Sequence, residues 1–437
     1  MKKLLYLMLL TVVGFYSCKK DDKGSGIFSV TVQLKYPENA EFGVTEGVKV
    51  KISSASMSYD AMTDASGKVT FGVPVGIYEL SVTDTRSDGT RSYIYNGLQS
   101  NITVTGNWQS DNIQSLTLEE SQAAQVVIKE MFVGGTPKDD GSGAWVYDKY
   151  IILYNNSASP ADLTNLGISS IGPFNATGTN AFYGTDGELV YKNEGWVPAV
   201  NSVWYFQQQV TLAPGKQLVI ALNNAVNTTL TVSKSINFDN PEYYAMYDLE
   251  DFDNANYYVS PAASIPTSHY VKAIKYGTAN AWILSVTSPG LFIFKPEGKT
   301  PVDFANDVSV ATGTGALASR KVPVEWVVDA VEAYELNANN RKRFTATLDA
   351  GYVYHTNRQG YSIYRNVDKA ATEAIPENAG KLVYDYNLGT VDLGGATDPS
   401  GIDAEASAKK GARIVYQDTN NSSNDFHMRS KASLRTN

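Results

Sequence analysis

From residue 27 onward the chain alternates apolar and polar residues in short runs closed by turn residues. Ser29-Val30-Thr31-Val32-Gln33-Leu34-Lys35 has a period of two, the pattern of a half-buried strand. Val48-Lys49-Val50-Lys51-Ile52 and Tyr78-Glu79-Leu80-Ser81-Val82 repeat it. Between them, Thr63-Asp64-Ala65-Ser66-Gly67-Lys68-Val69-Thr70-Phe71 reads as two short strands joined by a turn, with Gly67 free to take a positive φ. Val73-Pro74-Val75-Gly76-Ile77-Tyr78 turns the chain again. These elements predict a β unit over 27–120. A polar link at 116–125 leads into a second β unit over 121–437. Its strands are predicted at Val126-Val127-Ile128-Lys129-Glu130-Met131-Phe132-Val133, at Tyr147–Asn156, on both sides of Ala213-Pro214-Gly215, and at Gly360-Tyr361-Ser362-Ile363-Tyr364-Arg365. Residues 134–142 are rich in Gly, Asp and Pro and predict a loop.

The first residues follow another pattern. Lys2 and Lys3 precede the apolar run Leu4–Val13, and Ser17 precedes Cys18. A basic start, an apolar centre and a small residue before the cut are the parts of a secretory signal, here 1–17. The run falls short of the roughly 20 residues that a membrane-spanning helix needs. Cys18 is the single cysteine of 437 residues, which excludes a disulfide within the chain. Its place at the end of the signal puts it outside any plausible fold, and the resemblance of these residues to a bacterial lipobox implies that Cys18 is lipidated, with 18–26, which contain Lys19-Lys20-Asp21-Asp22-Lys23, as the tether.

Composition narrows the class. Removing 1–17 takes away Lys2 and Lys3 and moves the formal charge from −9 to −11. No run rich in Lys and Arg follows, so nucleic acid is not an expected partner. With 28 Tyr, 15 Phe and 6 Trp against only 19% charged residues, the balance is that of an exported all-β protein.

The residues around Cys18 resemble a bacterial lipobox, and Cys-Lys-Lys-Asp-Asp-Lys is similar to the signal that sends Bacteroidetes lipoproteins to the outer face of the outer membrane. Gly47-Val48-Lys49-Val50, Thr63–Lys68 and Pro74–Leu80 resemble the prealbumin-like, carboxypeptidase-regulatory-like sandwich, which serves as a stalk or spacer and sometimes binds carbohydrate. The strands of 121–437 are similar to the lamin-tail domain, an immunoglobulin-like sandwich, with Ile152 where that family has a glutamate and large insertions at 169–209 and 223–350. Arg365 matches the late arginine of that pattern, which implies a structural role. The whole chain, including Ala412–Phe426, resembles a Bacteroidetes surface lipoprotein family of unknown function, DUF4876. Members often look like accessories of TonB-dependent outer-membrane transporters, so the resemblance implies such a partner.

Candidate chemistry concentrates in the run from Phe238 to Tyr258, which carries six carboxylates and five tyrosines. Tyr243, Tyr244, Tyr247, Tyr257 and Tyr258 form a candidate ligand-binding surface, because tyrosine offers rigid amphipathic area. The bland alternative is a solvated acidic loop whose tyrosines pack on the sandwich. Asp248, Glu250, Asp251 and Asp253 lack EF-hand spacing, and no metal is expected. Trp204 and Phe206, two apart on a strand, share one face and offer either a stacking platform or core packing. Tyr93, Tyr95 and Trp108 pose the same choice in the first unit. Arg341, Lys342 and Arg343 are candidates for an anion. The three histidines, His269, His355 and His427, have no ligand spacing, there is no Gly-x-Ser-x-Gly elbow, and no catalytic residue or cofactor is expected.

The resulting expectation is a non-enzymatic outer-membrane lipoprotein facing the cell exterior. It would capture a carbohydrate or other small ligand for a TonB-dependent transporter. An adhesion or scaffold protein is the alternative, and an anchored hydrolase using paired carboxylates from 239–253 is the third reading.

Overall fold

A computed structural model describes residues 26–435 apart from 39, 88–91, 178–180, 338 and 392–396. The signal, Cys18 and the tether up to residue 25 lie outside the described residues. The structure is all-β, with a few short helices. Among the described residues no helix is long and apolar enough to cross a membrane.

The first unit sets a three-stranded sheet (Lys68–Val73, Phe28–Lys35, Ile113–Thr117) against a five-stranded one (Ser58–Met62, Lys49–Ser53, Gly76–Ser87, Ser92–Val104, Glu119–Gln122). The alternation read from sequence decides which residues lie between them. Val30, Val32, Leu34, Val50, Ile52 and Leu80 are all at most 1% exposed. Tyr95 joins this core and Tyr93 lies at its edge, while the Trp108 indole donates to the Ser29 carbonyl at 3.0 Å. The core reading therefore holds for these rings. Gly67 takes φ +74°, and Asp64 closes the turn by accepting from the Ser66 and Lys68 amides at 2.8 and 3.0 Å.

The larger unit is organised by one sheet of fourteen strands among the described residues. Its path runs from Val353–Tyr354 and Val327–Tyr334 through Gly290–Phe294, Gly167–Ser170, Trp196–Phe206, Tyr270–Lys275, Tyr244–Met246, Gln217–Ala221, Tyr150–Asn155 and Val126–Phe132 to Ser362–Arg365 and Phe426–Arg429. The strands resembling an immunoglobulin-like sandwich belong to this one sheet, and the segments read as insertions supply five more of its strands along that path. Twist accumulated over so many strands curls a sheet. The two ends approach each other, and the inner face closes on a core that includes Ile151, Leu153, Trp204, Ile220, Val271, Ile293, Val331 and Ile363. The outer face is covered in patches. Ile236, Phe238 and Ile265 pack over Tyr150 and Val219, whereas Ile402, Ile414 and Tyr416 pack over Val127, Tyr154 and Tyr364.

A polar seam joins the two ends of the sheet. Asp329 on one end accepts the Ile128 amide at 2.6 Å and pairs with Arg365, which donates to the Ile128 carbonyl at 2.9 Å. Arg365 is 0% exposed, also donates to the Gln417 carbonyl at 3.0 Å, and lies 3.3 Å from Asp418. Burial pushes the Asp329 and Asp425 carboxyls up, against the pull of Arg365. The structural role implied for Arg365 is what the fold assigns it. The same carboxyl-terminal segment reaches the first unit: Asn96 donates to the Thr419 carbonyl at 2.7 Å, and Asn421 to Thr83 at 2.8 Å.

Replacing Arg365 with Met strands three buried carboxylates, and breaking such a pair costs about 3–5 kcal/mol. Urea denaturation of the purified chain should show a loss of that order. A change near zero would mean that the seam does not hold the sheet ends.

Candidate functional site

The strand Val126–Phe132 begins in regular alternation. Val126 and Ile128 enter the inner core and Val127 the outer cluster. Then the register against Tyr150–Asn155 slips: Ile152 lies opposite Glu130 and Leu153 opposite Ile128, leaving Lys129 as the extra residue of a β-bulge. Consequently Lys129 and Glu130 both leave the inner face. Glu130 caps the Ser433 amide at 3.0 Å, and Met131 returns to the core. Alternation from Ile128 turns Lys129 to the covered outer face, and the bulge turns Glu130 to that side as well.

There the Lys129 ammonium is 5% exposed and donates to Gln217 Oε1 at 2.6 Å and Glu405 Oε1 at 2.7 Å. It stands 5.5 Å from the Tyr364 ring centre and 5.6 Å from that of Tyr416. Glu405 rides on the short helix Ala404–Lys409, whose start is capped by Asp403 accepting from the Ala406 amide. Tyr364 donates to Glu405 at 2.7 Å, and its hydroxyl is 3.0 Å from that of Tyr416. Tyr154 donates to the Ile414 carbonyl at 2.7 Å and meets Tyr416 edge-on at 4.8 Å. Helix and sheet thus flank a half-open cavity of about 280 Å³, lined by Lys129 and, at its exposed rim, by Lys216 and Lys409. Gly215, at φ +67°, lets the Arg413 stem cross close by, because a Cβ there would lie 2.8 Å from Arg413 Cγ.

Burial pushes the Glu405 carboxyl up. The Lys129 charge and the hydrogen bonds from Lys129 and Tyr364 outweigh it and hold the group down at about 2. At neutral pH Glu405 is therefore a carboxylate, held beside the Lys129 side chain.

The residues singled out from sequence go elsewhere. Trp204 and Phe206 do share a face, but it is the inner one: they are 0% and 5% exposed. Trp204 stacks on Phe252 at 5.3 Å, and Tyr258, 4% exposed, packs beside them. As platform residues Trp204, Phe206 and Tyr258 are therefore corrected to core, because large rings gain most by filling the curled sheet. Tyr243, Tyr244, Tyr247 and Tyr257 are half-buried. Tyr244 stacks on His269 at 4.1 Å, Tyr247 meets Tyr270 at 5.3 Å and Tyr257 meets Tyr147 at 4.9 Å. They are separate ring pairs.

Asp248 and Asp251 are tied to the neighbouring strand, accepting the Ala273 and Lys275 amides at 3.1 and 2.9 Å. Among the described residues no three His, Cys, Asp or Glu gather as metal ligands. Of the basic run at 341–343, weighed as an anion candidate against ordinary surface charge, two residues are engaged within the fold. Arg343 is 0% exposed and spends its guanidinium on Glu332 and on the Pro173 and Ser288 carbonyls. Lys342 pairs with Glu332 and Asp349. His355 and His427 are buried, which pushes both below the ordinary histidine range.

The cavity was missed by sequence reasoning, yet it left a signal. The doublet Lys129-Glu130 inside an otherwise apolar strand breaks the period of two, as a bulge does.

No curated protein matches the chain. A crystal structure of a DUF4876 family protein from Bacteroides thetaiotaomicron VPI-5482 has a similar fold, with a TM-score of 0.52 at 22% identity, covering 91% of this chain and 94% of that one. The family model "Protein of unknown function (DUF4876)" matches residues 213–400. Over that stretch the chain is similar to the DUF4876 proteins, the family its sequence resembles.

Proposed function

We propose that this protein is a non-enzymatic lipoprotein of the outer-membrane surface, held through Cys18, that captures a small ligand for a partner TonB-dependent transporter. The observation that carries the reading is the cavity beneath the helix Ala404–Lys409, with a buried charged group and tyrosine rings around it. Ligand sites are concave, largely apolar and furnished with a few fixed polar groups, and a volume of about 280 Å³ suits a small ligand. Of the groups weighed for a hydrolase, Asp248, Asp251, His355 and His427 are engaged in structural bonds. The first unit, next to the tether, is the natural spacer between membrane and cavity.

Affinity purification of the native protein from gently solubilised outer membrane, followed by mass spectrometry, tests the partnership. A stoichiometric β-barrel transporter is the expected companion. Recovery with other surface proteins and no transporter would favour the scaffold reading instead.

The Lys129–Glu405 pair adds a pH dependence. The Glu405 carboxyl sits at about 2 in the folded chain, below its ordinary 4.5. Its contribution to stability is therefore present above pH 4.5 and lost as the pH falls through about 2. Glu405→Gln should flatten the fall of melting temperature across this window while lowering stability at neutral pH. An unchanged slope would show that the pair does not couple to folding.

A further inference from the structure

We infer that the ligand of this cavity carries an oxyanion, a carboxylate or a sulfate, as an acidic or sulfated sugar does. The inference rests on the capture reading and deepens it.

Charge is the first ground. Lys129, Lys216 and Lys409 line the cavity against the single carboxylate of Glu405, within a chain of formal net charge −9. Arg413 runs alongside, its guanidinium donating to the Ser157 carbonyl at 3.3 Å. A local surplus of positive charge in an acidic protein concentrates anions and steers them inward. No carboxylate is paired with Lys216 or Lys409 among the described residues, whereas most other lysines near the sheet are paired or capped.

The second ground is the buried ammonium. An ammonium has three N–H donors, and Lys129 spends two of them on Gln217 and Glu405. One donor remains for a group entering the cavity. Charge-assisted hydrogen bonds of this kind are about twice as strong as neutral ones. Gln217 offers an amide nitrogen on the same wall, because only its Oε1 is taken by Lys129. A carboxylate oxygen can accept from the third Lys129 N–H while Lys216 or Lys409 swings in from the rim. Each is exposed and free to move.

The third ground is geometry. The bulge at Lys129 costs regular pairing in the middle of a sheet, and bulges recur where a side chain must be re-aimed. A regular strand would carry the residue after Ile128 outward and the next inward, which would bury the Glu130 carboxylate in the apolar core. The bulge leaves Lys129 on the outer side, at the tyrosine-walled cavity, and re-aims Glu130 outward as well, to the Ser433 amide, so that both charges stay out of the apolar core.

Isothermal titration calorimetry on the purified full chain at low ionic strength tests this with three probes: sodium glucuronate, glucose and sodium sulfate. Glucuronate is expected to bind at one site, about tenfold or more tighter than glucose. The double variant K216Q/K409Q changes only exposed side chains and should weaken glucuronate by about tenfold or more. Lys129→Met, if it folds, should abolish binding. Sulfate binding as tightly as glucuronate would identify the oxyanion itself as the recognised group, and weaker sulfate would identify an anionic sugar. The inference is overturned if glucose matches glucuronate, if neither anion binds, or if K216Q/K409Q leaves the affinity unchanged. A glucose response that Lys129→Met removes would keep capture at this cavity and eliminate only the anion.

Discussion

The larger unit depends on how the two ends of its sheet are brought together. A twisted sheet of this length has an inner face that must be dry and two edges that must meet without a continuous ladder of hydrogen bonds. Asp329 and Arg365 solve this at one point. The carboxylate takes the Ile128 amide, and the guanidinium takes the Ile128 carbonyl, so both polar groups of that residue are satisfied by side chains from two other strands. Arg365 also lies 4.4 Å from the Phe426 ring centre, so the cation is enclosed on its remaining side. A planar guanidinium with five donors suits this task; a lysine offers three from one point.

The seam and the cavity are consecutive events on one strand. Ile128, whose backbone is clamped by the seam, immediately precedes the bulged Lys129. The residue before the bulge is therefore held in place from both sides, which fixes the direction in which Lys129 leaves the sheet. Tyr364 extends the link. It precedes Arg365 on the neighbouring strand, and its hydroxyl donates to Glu405 inside the cavity. Closure of the sheet and construction of the cavity wall thus use adjacent residues on two strands, Ile128-Lys129 and Tyr364-Arg365. The carboxyl-terminal segment binds both to the first unit through Thr419 and Asn421.

Much of this was legible wherever a local rule was decisive. Period-two alternation located the strands of the first unit, and Asp64-Ala65-Ser66-Gly67 announced its turn because only a few residue types satisfy that geometry. Trp204 and Phe206 were correctly placed on one face. Which face was hidden, because alternation gives the side of a strand but not what covers it. The segments at 169–209 and 223–350 were read as insertions, although Trp196–Phe206, Tyr270–Lys275, Gly290–Phe294 and Val327–Tyr334 are strands of the main sheet. Their pairing is long-range, and long-range pairing is not encoded in spacing along the chain. The basic run at 341–343 hides its pairing for a related reason. Its partners Glu332 and Asp349 are close in sequence, but only the fold shows that they are buried with it. The cavity needed residues 129, 217 and 405 together, and nothing short of the tertiary structure joins them.

Whether the Lys129 cavity holds an anionic ligand is decided by a crystal structure of the full chain grown with glucuronate. A carboxylate oxygen is expected within about 3 Å of Lys129 Nζ, with Lys216 or Lys409 turned toward it. Ligand bound instead at the half-buried tyrosines around 243–257, with the cavity unchanged, would contradict it.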